Sequence, residues 1–150
     1  MTVFGIYILT ILAPVVSGLL IYALKSRKAI LPITLGGSLP FLMLIIYAVS
    51  TLQESAHSKF FWVPGLEMGW QLDRLSLALI ALVIFISLLV HVFSVYYMDE
   101  DKGIYRYYLK LGFFTSAMIG LLGADHLLLL FLFWELVGFF SYLLIGFWFK

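Results

Sequence analysis

The chain has 150 residues, of which 64% are hydrophobic and 11% charged, with a formal net charge of +1. Water-soluble domains average about 45–50% apolar and roughly 25% charged residues, so a soluble globular domain is excluded. The nine basic residues are scattered among apolar segments and form no patch, which excludes nucleic-acid binding, and the lack of cysteine excludes disulfides, thiolate zinc sites and iron–sulfur ligation within the chain.

A helix rises about 1.5 Å per residue, so about 20 apolar residues cross the hydrocarbon of a bilayer. Five segments qualify. The first, about Val3 to Leu24, has no basic residue ahead of its apolar run. It therefore reads as a retained membrane helix and not as a cleaved signal peptide. Pro14 inside it predicts a kink that a membrane helix tolerates. The second, about Ile30 to Leu52, carries Pro32 in its first turn, where a missing N–H costs little. Gln53 to Asp73 then forms the longest irregular stretch, a solvated cap over the helix ends, with Pro64, Gly65 and Gly69 marking turns. Asp73, just before Arg74-Leu75-Ser76, is placed to cap the next helix.

The third span covers about Leu75 to Tyr97, the fourth about Tyr107 to Gly123 and the fifth about His126 to Phe149. Tyr105, Arg106, Tyr107 and Tyr108 read as an aromatic belt at the membrane face, with a snorkelling arginine. Asp125 is placed to cap the fifth span, and His126 sits in the interface. Seven basic residues (Lys25, Arg27, Lys28, Lys102, Arg106, Lys110, Lys150) fall on one side of this arrangement and only Lys59 and Arg74 on the other. The positive-inside rule then puts the N-terminus outside and the C-terminus inside. Trp62 and Trp70 around the outer loop, and Trp148 at the inner end of span five, are expected at the interfaces.

Two residues carry candidate chemistry. Glu135 follows the run His126 to Trp134, eight of whose nine residues are apolar. It therefore lies about 13–15 Å along a helix that crosses about 30 Å of hydrocarbon. Ionised and unpaired at that depth it would be very costly. It must either stay protonated or pair with a cation or water inside a bundle, and both make it able to exchange a proton. Gly138 and Tyr142, at i+3 and i+7, share its face, and Gly146 continues it. The glycines would let another backbone approach the carboxylate. No lysine or arginine occupies the middle of any span, so the cation that would pair with Glu135 is expected on a segment outside this chain.

His91 is the second. Ser87, His91 and Ser94 stand at i, i+4 and i+7 on span three as a polar stripe. The stripe reads either as a proton relay, since histidine titrates near neutral pH, or as a packed histidine bonding a neighbouring helix. His57, His91 and His126 lack the short spacings of a metal motif, so no metal site is expected.

The string Asp125-His126-Leu-Leu-Leu-Leu-Phe-Leu-Phe-Trp134-Glu135-Leu-Val-Gly138-Phe-Phe-Ser141-Tyr142-Leu-Leu-Ile-Gly146-Phe-Trp148 resembles the fifth helix of chain 5 of NADH-quinone oxidoreductase, the subunit L family of respiratory complex I. Asp73-Arg74-Leu75-Ser76 resembles the family's entry to helix three, and Tyr97-Met98 followed by Tyr105-Arg106-Tyr107-Tyr108 its loop before helix four. The match keeps order and spacing over roughly residues 70 to 149, about half the chain, while residues 1 to 69 match mainly in hydropathy. His126 stands where the family commonly has asparagine, and Arg74 where it has glycine.

The resemblance implies an all-α integral membrane protein of five transmembrane helices, an incomplete antiporter-like helix bundle. It implies a first region, residues 1–72, with two helices and the outer loop, and a second, 73–150, that begins an antiporter-like proton-translocating domain. It implies that Glu135 belongs to a proton channel coupled to quinone reduction and pairs with a lysine on a seventh helix. NADH, flavin, iron–sulfur clusters and quinone are then expected on other subunits, with no cofactor on this chain. The partners implied are the other membrane subunits, the lipid bilayer and protons, in a bacterial inner membrane. Three alternatives stay open: a multisubunit cation/proton antiporter or hydrogenase membrane subunit, a non-transporting scaffold, and a self-contained five-helix channel.

Overall fold

A computed structural model describes residues 3–52, 54–63, 66–98, 101 and 103–148, with the side chains of 60–63, 66–68 and 148 left out of the description. Pro64, Gly65, Lys102 and Lys150, and the side chains of Trp62, Glu67 and Trp148, lie outside the described residues.

Five helices carry the chain: α1 (Val3–Leu24), α2 (Arg27–Thr51), α3 (Arg74–Tyr97), α4 (Ile104–Leu122) and α5 (Leu127–Ile145), which ends in a single 3-10 turn, Gly146–Trp148. By length and composition α1, α2, α3 and α5 can cross a membrane, and the protein is an integral, multi-pass membrane protein. The fourth expected span differs. α4 begins earlier, at Ile104, carries Arg106 and Lys110, and is not among the four helices apolar enough to span. Its nine buried residues, Tyr108, Gly112 and Thr115 among them, make it a central strut that faces other helices on several sides. Such a helix needs little lipid-facing apolar surface of its own.

The packing closes a ring. α1 packs against α2 and α4, α2 against α3, and α3 against α4. The tightest approach is between α1 and α4. A Cβ at Gly18 would come 3.1 Å from the Tyr108 carbonyl, and one at Gly112 would land on the carbonyl of Pro14. Without a hydrophobic drive between helices in lipid, such small residues let backbones close together and gain dispersion contact. α5 lies outside the ring, packed on α4.

The stretch expected to be irregular holds an antiparallel hairpin, β1 (Ala56–Val63) and β2 (Leu66–Leu72), paired from Ala56↔Leu72 to Val63↔Leu66. The aromatic-rich run before Pro64-Gly65 is a strand signal with a turn behind it. Its lack of clean polar–apolar alternation hides it in the sequence. The hairpin ties to the α4–α5 turn through Gln71 N–H donating to the Gly123 carbonyl (2.9 Å) and Asp125 N–H donating to the Gly69 carbonyl (3.0 Å). Trp70 packs edge-on against Tyr7 at 6.0 Å, so it belongs to this lid over the bundle end. The Tyr7 hydroxyl in turn donates to the Ile119 carbonyl at 3.1 Å.

Helix ends explain the connections. Asp73 caps α3 as expected: Ser76 N–H donates to its carboxylate (2.7 Å), and Asp73 N–H donates to the Ser76 hydroxyl (2.9 Å). Arg74 Nε donates to the Leu52 carbonyl (2.7 Å), satisfying the end of α2. The expected Asp125 cap is replaced by His126, whose Nδ1 accepts from Leu128 N–H at 3.1 Å. Asp125 is instead drawn into the backbone pairing with Gly69, which takes it out of the capping position. At the opposite end Arg27 Nη2 donates to the Asp101 carbonyl (3.4 Å), joining the α1–α2 turn to the α3–α4 connection.

Candidate membrane proton site

Glu135 is the ninth of the nineteen residues of α5, at the helix midpoint. The side of α5 that meets α4 is set by its aromatic residues. Phe140 stacks on Phe113 with centroids 5.0 Å apart, and Phe133 fills the space left by Gly120. Glu135 lies on the opposite side and is exposed. The residues expected on its face follow it there. Tyr142 is 73% exposed, and nothing comes within 4 Å of a Cβ built at Gly138 or Gly146. Among the described residues no hydrogen bond or ion pair reaches Glu135. The face expected to admit another backbone is open along its length.

One cation does reach α5. Lys110 Nζ, on α4, donates to the Leu143 carbonyl at 3.0 Å and lies 5.4 Å from the centre of the Phe147 ring. The last carbonyls of a helix lack intrahelical donors and carry the negative end of its dipole, so a lysine there is favourable. Leu143 is eight residues beyond Glu135, about 12 Å along the axis, so Lys110 serves the helix end and not the carboxylate. Grouping Lys110 with the loop cations hides this role, which follows from its place six residues into α4.

The Ser87–His91–Ser94 stripe faces α4 from α3. His91 is buried, and its Nδ1 lies 2.7 Å from the Ser87 carbonyl and 3.2 Å from the Ser87 hydroxyl. That hydroxyl is 2.8 Å from Thr115 Oγ1. Ser94 Oγ sits 3.0 Å from the Tyr107 hydroxyl, and the Tyr108 hydroxyl donates to the His91 carbonyl (2.7 Å). Tyr107 and Tyr108 therefore leave the expected aromatic belt and become interior partners of α3. Tyr108 is fully buried and its ring lies 5.5 Å from that of His91. Their position at i and i+1 in an interfacial-looking run gave no warning, because a belt and a buried pair use the same residue types.

Glu135 and His91 are not brought together. One is on the outer face of α5, the other inside the ring, with α4 between them. The arrangement is thus two separate protonatable positions. Among the described residues no group of three or more histidine or carboxylate side chains could hold a metal ion.

The family model for NADH-ubiquinone oxidoreductase (complex I), chain 5 N-terminus, matches residues 63–108, that is β2, α3 and the start of α4. The chain is 41% identical over 98 residues, 65% of its length, to F(420)H(2) dehydrogenase subunit L of Methanosarcina mazei. It is 47% identical over 86 residues, 57% of its length, to NAD(P)H-quinone oxidoreductase subunit 5 of Paulinella chromatophora. It is 34% identical over 154 aligned positions, 92% of its length, to the chloroplastic subunit 5 of Anthoceros angustus. These alignments span 15%, 13% and 21% of the respective relatives, so the chain covers about a fifth or less of their length. Order, spacing and identity together place this chain in the NADH-quinone oxidoreductase chain 5, or subunit L, family, as a counterpart of its N-terminal portion.

Proposed function

We propose that this chain contributes one arm of a proton-translocation path in a membrane NADH-quinone oxidoreductase, with Glu135 as the proton-holding group. The carrying observation is the carboxylate at the midpoint of α5 on an uncovered face flanked by Gly138 and Gly146. A carboxylate at that depth is costly unless it is protonated or paired, and either state couples it to proton movement. The open glycine face has room for a further helix bearing a cation, which would toggle the proton on Glu135 by approaching or withdrawing.

His91, with Nδ1 held by Ser87, serves as a second relay position inside the ring. Residues 1–72 form an N-terminal extension and 73–150 the beginning of the translocating unit. The basic residues at the Arg27–Asp101 end face the cytoplasm of a bacterial cell, the N-terminus faces outside, and the other subunits of the oxidoreductase supply the redox cofactors. The relatives' names, F(420)H(2) dehydrogenase and NAD(P)H-quinone oxidoreductase, support a redox-driven pump over a stand-alone antiporter.

The test is Glu135→Gln in the assembled complex. Electron transfer to quinone and proton pumping are measured side by side. Pumping is expected to fall by about tenfold or more, as for loss of a positioned proton-transfer group, with assembly retained. Normal pumping would favour a non-transporting scaffold.

A further inference from the structure

The ring of α1 to α4 surrounds a small polar void. Thr10 and Ser17 of α1, Thr34 and Ser38 of α2, and Ser87 and His91 of α3 line it. Its volume is about 10 Å³, room for a single water and too little for a hydrated ion or an organic ligand. We propose that one ordered water occupies it and bridges the Thr34 hydroxyl to Nε2 of His91.

Three observations carry this. First, Thr34 is buried, and its Oγ1 has no hydrogen-bond partner among the described residues. The other buried hydroxyls of the ring find carbonyls: Thr10 that of Ile6 (2.7 Å), Ser94 that of Val90 (2.7 Å) and Thr115 that of Leu111 (2.9 Å) on their own helices, and Ser116 that of Ile11 (2.6 Å) on α1. Thr34 makes no such bond, and a buried hydroxyl without a protein partner is met by an ordered water. Second, His91 Nδ1 lies 2.7 Å from a carbonyl, which can only accept, so Nδ1 carries the proton. The neutral ring then presents Nε2 as an acceptor. Third, Pro14 has no N–H, so the Thr10 carbonyl loses its helical donor beside the void. A water there has Thr34, His91 and the Thr10 carbonyl as partners, within the two to four that a buried water uses.

Among the described residues lining the void His91 is the only titratable group, and Tyr108, whose ring lies 5.5 Å from that of His91, has its hydroxyl committed to the His91 carbonyl. The site therefore holds a neutral histidine with a water on its free nitrogen. This deepens the relay reading of His91 and rests on it for its purpose alone; the water stands or falls separately.

The experiment is solid-state NMR of the full-length protein in lipid bilayers with nitrogen-15 histidine. His91 is assigned among the three histidines by His91→Gln. The expected spectrum shows His91 protonated at Nδ1 and bare at Nε2, with polarisation arriving from a bound water. Thr34→Val, close in shape but without the hydroxyl, should lose most of that transfer, and Thr34→Ser should keep it. No water transfer to His91 in the wild-type protein, a proton on Nε2, or undiminished transfer in Thr34→Val would each overturn the proposal. Should Thr34→Val fail to fold, the wild-type and Thr34→Ser spectra decide. Unchanged pumping in Thr34→Val, with the water gone, overturns the relay reading and leaves the water site standing.

Discussion

Inside the ring of α1 to α4, the buried polar side chains other than Thr34 meet partners from neighbouring helices or their own backbone; along the outer face of α5, they meet nothing from the described residues. Ser116 reaches the Ile11 carbonyl (2.6 Å) and Tyr108 the His91 carbonyl (2.7 Å), whereas Glu135 and Tyr142 stand exposed. α5 is about as apolar as α1, α2 and α3, so composition does not set the difference. Small residues do. Gly18 and Gly112 are used up in the α1–α4 contact, while Gly138 and Gly146 are left open. A glycine already in contact marks finished packing, and one without neighbours leaves its surface uncovered.

Substitutions sharpen that contrast. The largest effect is expected from Gly112→Val, whose side chain would strike the Pro14 carbonyl and part α1 from α4. A loss of about 1–3 kcal/mol should appear as a lower thermal midpoint in detergent, whereas Gly138→Ala, free of clashes inside α5, should raise the midpoint slightly, since alanine gains about 0.5–1 kcal/mol over glycine in a helix. Equal effects at the two glycines would break the comparison. Lys110→Met removes the ammonium from the end of α5 and should cost up to about 2 kcal/mol, as for a partly buried cation at a helix C-terminus, with faster hydrogen exchange in the last turn of α5 and little change in the ring.

Asp73→Ala removes the α3 cap and should cost about 1 kcal/mol. The Ser76 backbone N–H, and then its hydroxyl, hold the Asp73 carboxyl below the usual carboxylate range. A lowered folded value means that the cap's contribution is complete above about pH 4 and fades as pH falls through the folded value. The wild-type protein should therefore lose stability relative to Asp73→Ala below that point. The smallest effect is expected at Lys25, which adopts φ 47° in the tight α1–α2 turn. Lys25→Gly should raise stability by about 0.5 kcal/mol by relieving the left-handed backbone.

Much of this architecture is legible from hydropathy. The five helices and the mid-helix place of Glu135 follow from apolar run lengths, and the Asp73 cap from one acidic residue three positions before a serine. The family is legible from the Trp134-Glu135 and Ser141-Tyr142 string. The hairpin is not, because its aromatic strands lack alternation. The central place of α4 is not, because Arg106 and Lys110 make it look like a short span with loop charges. The void is hidden in another way. Thr10, Pro14 and Ser17 on α1, and Thr34, Ser38 and Phe41 on α2, repeat the i, i+4, i+7 spacing of Ser87, His91 and Ser94. Only the ring closure shows that these stripes face one another.

The central claim is that Glu135 holds a proton during turnover. Infrared difference spectroscopy of the assembled complex, between resting and turning-over states, reads it directly through the carbonyl stretch of a protonated carboxyl. A band that appears or shifts on turnover in the wild-type complex and is missing in Glu135→Gln is the predicted result. The same band in both would show that the proton is held elsewhere and would contradict the account.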